Sequence, residues 1–236
     1  MKIIGMIGGM SWESTVTYYQ VINETIKQKL GGFHSAKILL YSVDFDEIEK
    51  CQASGSWDKS AEILADAAMR LAQAGADFIV ICTNTMHKVV PEIKKHISIP
   101  IIHIAEATAE CLKEKGITTV GLLGTKYTMM QDFYKAKLME AGIRVVIPDE
   151  DDVEVVNHVI YDELCLGIIR KQSQMKYLSI IECLKAKGAQ GVILGCTEIG
   201  LLIHQEDTDI PVFDTTRIHA EKAAALSICN ETDVIK

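Results

Sequence analysis

Residues 76 to 83, ADFIVICT, lie over residues 189 to 196, AQGVILGC, without a gap, because Gly75 and Gly188 open both stretches at an offset of 113 (188 − 75). The offset sets Thr83 opposite Cys196. The correspondence continues outward: IGMIGG from Ile4 matches VGLLGT from Val120, and PIIHIAEATAE after Ile99 matches PVFDTTRIHAE after Ile210. A chain built by duplication folds into two similar halves. Equivalent strand ends brought together about a pseudo-twofold axis give a cleft with one chemical group on each side of a bound molecule. Here those groups are a hydroxyl and a thiol.

The 236 residues suffice for two such halves, and 48% hydrophobic residues suffice for a core in each. No stretch approaches the roughly 18 continuous apolar residues of a membrane span, and MKIIGMIGGM runs into a strand pattern rather than a signal peptide. The expectation is a soluble, cytosolic protein. A net charge of −8 argues against nucleic acid, which needs a basic face. The acidic run Asp149 to Asp152 lacks the spaced ligands and central glycine of a calcium loop and reads as a helix cap or solvated loop. Seven scattered cysteines without a C-x-x-C pair read as free thiols, mostly small buried hydrophobes.

Short β-branched runs alternate with helical patterns. Strands are expected at Lys2 to Met6, Lys37 to Tyr41, Phe78 to Cys82, Ile101 to His103, Thr119 to Leu123, Arg144 to Val146, Gly191 to Leu194 and Val212 to Phe213. Between them lie amphipathic stretches such as Glu62 to Gln73 and Tyr177 to Lys187. This order predicts an α/β fold of two pseudo-symmetric, doubly wound parallel-sheet domains with the active site between them. The first domain is expected to comprise residues 1–107 plus a C-terminal helix of about 215–236 crossing back over it; the second, residues 108–214.

The strand-end loops carry the chemistry. The first delivers Gly8, Gly9, Met10 and Ser11 ahead of a helix, an arrangement that lets backbone N–H groups approach an anion; it contains neither a G-x-G-x-x-G nor a Walker pattern. Its repeat partner runs from Gly124 through Thr125, Lys126 and Tyr127 to Thr128. The third strand ends in Cys82, Thr83, Asn84, Thr85, Met86 and His87, and its counterpart in Gly195, Cys196, Thr197 and Glu198. Small polar side chains at matched positions can hold a carboxylate, although each threonine alone is equally explained as a helix cap. Cys82, one residue before Thr83, points to the other face of its strand and reads as core. His87, His103 and His219 are each either an orienting group for the thiol or a polar core residue, and no pair has metal spacing.

GGMSWES near the start, TNTMH after the third strand, and GCTEIGLL with PVFDTT resemble the aspartate/glutamate racemase superfamily, most closely its cytosolic amino-acid racemase branch, over essentially the whole chain. The resemblance implies two doubly wound domains in a homodimer, no cofactor (neither pyridoxal phosphate nor metal), and two cysteines facing each other across the substrate. By that resemblance the first cysteine takes the α-proton of the D-substrate and the second that of the L-substrate. The chain departs from the pattern at the first: the family's C-N-T reads Thr83-Asn84-Thr85. A thiol can be brought to thiolate by helix N-termini and neighbouring donors, whereas a threonine hydroxyl has no comparable ionised form at neutral pH.

The resemblance therefore makes Cys196 the base for the L-enantiomer, with Thr83 donating a proton, or positioning water that does so, on the far face. Asn84, Thr85, Thr197 and Thr125 are expected to bind the α-carboxylate, with Met10 in the neighbouring first-strand loop. For the distal carboxylate Lys50, Gln52, Lys126, Arg170 and Arg217 are candidates, and the resemblance of IEKCQ to the family's substrate-side loop implies Gln52. The expected activity is cofactor-independent racemisation of aspartate or glutamate, with the L-form preferred. Two alternatives remain: a one-thiol decarboxylase or isomerase of a small dicarboxylate, and a non-catalytic dicarboxylate-binding protein.

Overall fold

The computed structural model describes residues 1–229. The chain divides into two compact units, Met1–His103 with the residues from His219 onward, and Ile104–Ile218. The first unit runs β1 (Ile3–Gly8), α1 (Trp12–Leu30), β2 (Lys37–Ser42), α2 (Phe45–Ala53), α3 (Trp57–Gln73), β3 (Phe78–Ile81), a 3-10 turn at Thr85–Val89, α4 (Val90–Ile93) and β4 (Ile101–Ile102). Its four strands are all parallel, in the order β2-β1-β3-β4.

The second begins with α5 (Ile104–Glu114) and continues through β5 (Thr119–Gly124), α6 (Lys126–Met130), α7 (Asp132–Glu140), β6 (Arg144–Val146), α8 (Glu150–Asp162) and a 3-10 turn at Leu164–Leu166. After α9 (Lys171–Ala186) come β7 (Val192–Gly195), 3-10 turns at Thr197–Leu201 and Gln205–Asp207, and β8 (Val212–Asp214); α10 (Thr215–Ile228) follows, and from His219 it belongs to the first unit. The second unit's sheet is again all-parallel, in the order β6-β5-β7-β8. The two sheets share one topology, as the internal repeat requires.

All eight expected strands are present, and the sequence shows why. β3 and β7 sit inside their sheets and every residue of both is buried, which is the condition under which a strand becomes a continuous apolar run. At one edge, β2 has only half-buried and exposed positions. The helix expected from Glu62 begins five residues earlier, at Trp57, because its polar first turn carries no apolar periodicity. Deeper in, α3 presents Leu64, Ala67, Ala68 and Leu71 to one face of the first sheet.

On the opposite face Ile4, Met6, Val80 and Cys82 pack with Tyr18 and Ile22 of α1 and with Ala220, Ala223 and Ala224 of α10. The C-terminal helix therefore seals the first sheet, and its small residues allow close approach. The last residues of the expected tail helix, 230–236, lie outside the described residues. In the second unit Val120, Leu122, Ile193, Tyr177, Ile181 and Leu184 belong to one larger core. The acidic run sits where α8 starts: Glu150, Asp151 and Asp152 occupy its first turn, where negative charge complements the helix dipole, while Asp149 pairs with Lys187 at 2.7 Å. Among the described residues no helix is long and apolar enough to cross a membrane.

The loop after β1 depends on glycine. Gly9 has φ of +90°, and a Cβ there would stand 2.2 Å from the Val43 carbonyl oxygen. Gly75 is equally left-handed, with φ of +95°, but has nothing within 4 Å of the Cβ position. Replacing each by alanine separates backbone strain from steric overlap. Gly75→Ala should cost about 1–2 kcal/mol. Gly9→Ala should cost at least about 3 kcal/mol, since overpacking against fixed backbone adds to the same strain. Urea unfolding of the two variants is the measurement; equal losses would show that the Val43 carbonyl yields freely.

Candidate active site

The β1 loop is held mostly by its own bonds. The Gly9 N–H donates to Thr15 Oγ1 at 2.8 Å, the Thr15 hydroxyl donates to the Ser11 carbonyl at 2.9 Å, and Ser11 Oγ caps α1 by accepting from Ser14 N–H. The Gly9 donor expected to face an anion is thus spent inside the protein. Met10 is buried in the first unit's core and only 3% exposed. In the repeat, Thr125 is the N-cap of α6, accepting from the Thr128 N–H.

After β3 the chain leaves the sheet through Cys82, Thr83 and Asn84 into the 3-10 turn. Cys82 is fully buried in the core shared with Ile4 and Tyr18, and burial pushes its thiol far above the ordinary range. Thr83 is half-buried, whereas Asn84 and Thr85 are buried. His87 folds back beneath the turn and its Nδ1–H donates to the Thr83 carbonyl at 2.8 Å. Gln52, on α2, reaches the same turn by donating its amide to the sulfur of Met86 at 3.1 Å. The first unit therefore gathers Gln52, Thr83, Asn84 and Thr85 around one turn.

Three histidines back that turn. The His87 ring lies 4.7 Å from that of His103 and 5.5 Å from that of His219, edge to face. His219 has a determined tautomer. Its Nε2 must donate to the Ile102 carbonyl, at 2.9 Å, so Nδ1 accepts from the Tyr18 hydroxyl at 2.8 Å. Burial, with His87 adding to it, depresses the His219 pKa from 6.5 to about 3, and the ring stays neutral. Among the described residues no group of three or more His, Cys, Asp or Glu side chains could hold a metal ion.

In the second unit β7 delivers Cys196 in extended conformation, directly followed by the 3-10 turn Thr197–Leu201. The Ile199 N–H bonds back to the Cys196 carbonyl at 3.1 Å, and this tight turn returns the Glu198 side chain to the sulfur. The Cys196 thiol donates to Glu198 Oε2 at 3.0 Å, and the Thr197 hydroxyl donates to the same oxygen at 2.5 Å. Glu198 is buried, while Cys196 and Thr197 are half-buried.

These neighbours of the sulfur disfavour its ionisation. Burial first, then the Glu198 carboxylate and Cys165, push the Cys196 thiol well above its ordinary value, so the resting sulfur is protonated. Cys165 belongs to the turn Leu164–Leu166, which packs against the turn that follows Cys196. Beside β7, the Thr215 hydroxyl donates to the Leu194 carbonyl at 2.8 Å, and Asp214 accepts from Thr216 N–H and caps α10.

Several basic residues considered for a distal carboxylate are already engaged: Lys50 with Asp46, Lys126 with Glu154, and Arg170 with Glu163. The sequence reading gave Glu198 no role, although a titratable side chain two residues from the thiol was visible in GCTE. The nearness of Cys165 to Cys196 had no local signal at all.

The profile of the Asp/Glu/hydantoin racemase family matches residues 7–223. RacX, a broad-specificity amino-acid racemase from Bacillus subtilis (strain 168), is 23% identical over 240 residues, which cover 94% of this chain and 97% of RacX. The crystal structure of an Asp/Glu racemase candidate from Yersinia pestis is similar with a TM-score of 0.92 at 55% identity, covering 97% of this chain and 100% of that one. That of an aspartate racemase homologue from Pyrococcus horikoshii OT3 gives 0.84 at 36% identity, with coverages of 96% and 99%. The chain belongs to the Asp/Glu/hydantoin racemase family.

The buried His219 has a measurable consequence. Its folded pKa of about 3 lies below the unfolded value of 6.5, so between those limits the unfolded chain binds the extra proton. The stability involved is fully present above pH 6.5 and is lost as the pH falls towards 3. The loss should be on the order of a few kcal/mol. Comparing urea unfolding at pH 7 and pH 4 for the parent and His219→Gln tests this: the variant should lose less on acidification, and an identical loss would show that His219 is already protonated in the folded state.

Proposed function

We propose that this member of the Asp/Glu/hydantoin racemase family racemises a small acidic amino acid, aspartate or glutamate, by moving the α-proton without pyridoxal phosphate or metal. The family supports amino-acid racemase activity, and it is a pyridoxal-phosphate-independent one. The observation that carries the reading is Cys196, a half-buried thiol at the end of β7, hydrogen-bonded to a buried carboxylate.

In this reading Cys196, once ionised, removes the α-proton of the L-enantiomer. Thr83 serves the other face of the carbon, giving a proton or holding the water that gives it. Asn84, Thr85, Thr125 and Thr197 supply hydroxyl and amide groups for the α-carboxylate, and Gln52 serves the distal group with Met10 in the loop nearby. The fully buried Cys82 has no part in the chemistry. The protein is expected to work as a cytosolic homodimer.

The Thr83 hydroxyl cannot replace a thiolate as base, so the two enantiomers are not equivalent substrates. The equilibrium between them is unchanged, and the asymmetry must show in rate. L-aspartate or L-glutamate incubated in deuterium oxide should acquire α-deuterium much faster than the D-forms. Cys196→Ser should lower that exchange by at least about 100-fold, the scale of a lost acid-base group, and Cys82→Ala should leave most of it. Thr83→Cys should raise turnover of the D-enantiomer. Chiral chromatography with mass detection reads all three. No exchange by the parent protein would indicate a dicarboxylate-binding protein, and consumption of a malonate-like acid with loss of carbon dioxide would indicate a one-thiol decarboxylase.

A further inference from the structure

The solvent side of α1 is apolar where a helix facing only water would be polar. Trp12, Val16 and Tyr19 are 64%, 53% and 54% exposed, and Leu30 at the end of the helix is 43% exposed. At 3.6 residues per turn these four positions fall within one stripe about 60° wide, beside the face that buries Tyr18, Ile22 and Ile26. The stripe continues onto the sheet. Leu40 of β2 is 49% exposed, and the space that a Cβ on Gly8 would enter is bounded both by Leu40 and by Thr15 of α1. Leu40 therefore lies along the same helix, on a strand that forms the edge of its sheet.

We propose that α1 with Leu40 is the surface on which a second copy of this chain docks about a twofold axis, the two α1 helices running antiparallel. The assignment rests on the homodimer of the proposed function and gives that dimer its face. The area suffices. Aromatic side chains present about 150–250 Å² each, so the exposed parts of Trp12, Tyr19 and their three aliphatic neighbours come to roughly 500 Å² per copy. A monomer's largest apolar patch is about 300–600 Å², and such patches are often functional. Two copies closed on this stripe and its polar border bury more than the roughly 1,000 Å² that a specific interface must clear. Trp and Tyr are also the residue types that carry most of the energy in such interfaces.

Charge selects the occupant. Glu13 stands in the first turn of α1 and Lys27 in the last, on the same flank of the stripe. Among the described residues neither forms an ion pair. Positions 13 and 27 are equally distant from Gln20 (20 − 13 = 27 − 20). A twofold axis beside Gln20 therefore brings Glu13 of one copy opposite Lys27 of the other, twice, and sets the two Tyr19 side chains near each other at the centre. The helix dipoles are then antiparallel too, whereas a parallel pairing would put Glu13 against Glu13. A lipid surface is a poorer match: a helix lying on one carries Lys and Arg on its polar side, and here Glu13 and Glu24 outnumber Lys27.

Sedimentation velocity of the full chain, from sub-micromolar to tens of micromolar protein, tests this. The parent should sediment as a dimer. Trp12→Glu and Tyr19→Glu should each weaken association at least about 30-fold, the effect of losing a central aromatic anchor. Met139→Glu, at an equally exposed apolar position on α7, should not. Glu13→Lys and Lys27→Glu should each weaken the dimer, and combining them should restore it, because the pair then meets with its charges exchanged. Circular dichroism verifies the folding of every variant. A dimeric parent that Trp12→Glu and Tyr19→Glu leave dimeric would overturn this face while the homodimer stands. A monomeric parent would remove both, and its flotation with anionic phospholipid vesicles would assign the stripe to a lipid surface instead. Failure of the combined charge variant to regain parent affinity would overturn the antiparallel pairing.

Discussion

Two strands buried on both faces govern the arrangement of this chain. β3 and β7 each have parallel neighbours on either side and helices above and below, so only apolar side chains fit within them. Where each strand leaves the sheet, its backbone must find new hydrogen-bond partners, and both solve this with a 3-10 turn. The first side chains free to be polar are those at the exit: Thr83 and Asn84 after β3, Cys196 and Thr197 after β7. Polar side chains are confined to these positions by the burial of everything before them in β3 and β7.

The two exits are then furnished differently. In the first unit the Thr83 carbonyl rests on the His87 ring, and behind it His219 is held neutral between Tyr18 and the Ile102 carbonyl. Of these rings, His219 carries no charge. In the second unit the exit carries a carboxylate against a thiol, and burial, with that carboxylate beside it, pushes the thiol well above its ordinary value. Duplication thus kept the topology while the exits diverged in acid-base character.

Much of this was legible in the chain. The eight strands follow from short apolar runs bounded by turn residues, and the common sheet order from the repeat, because burial on both faces writes itself into sequence as an unbroken apolar stretch. Cys82 could be assigned to the core from its parity with Thr83. Helix starts were less legible: α3 begins with a solvated turn, and solvated turns carry no periodicity.

What the sequence determined by itself was the duplicated α/β architecture and the opposition of Thr83 to Cys196 in the repeat, since both depend on patterns local to short segments. Only the tertiary structure decided the surroundings of those residues. Residues 196 and 198 are neighbours in any reading, but it takes the 3-10 turn to fold the carboxylate onto the sulfur. The approach of Cys165, and of His219 to His87, joins segments separated by tens to over a hundred residues. The ionisation of a thiol or an imidazole is set by desolvation and by the charges within a few ångströms, and those are properties of packing that no single segment contains.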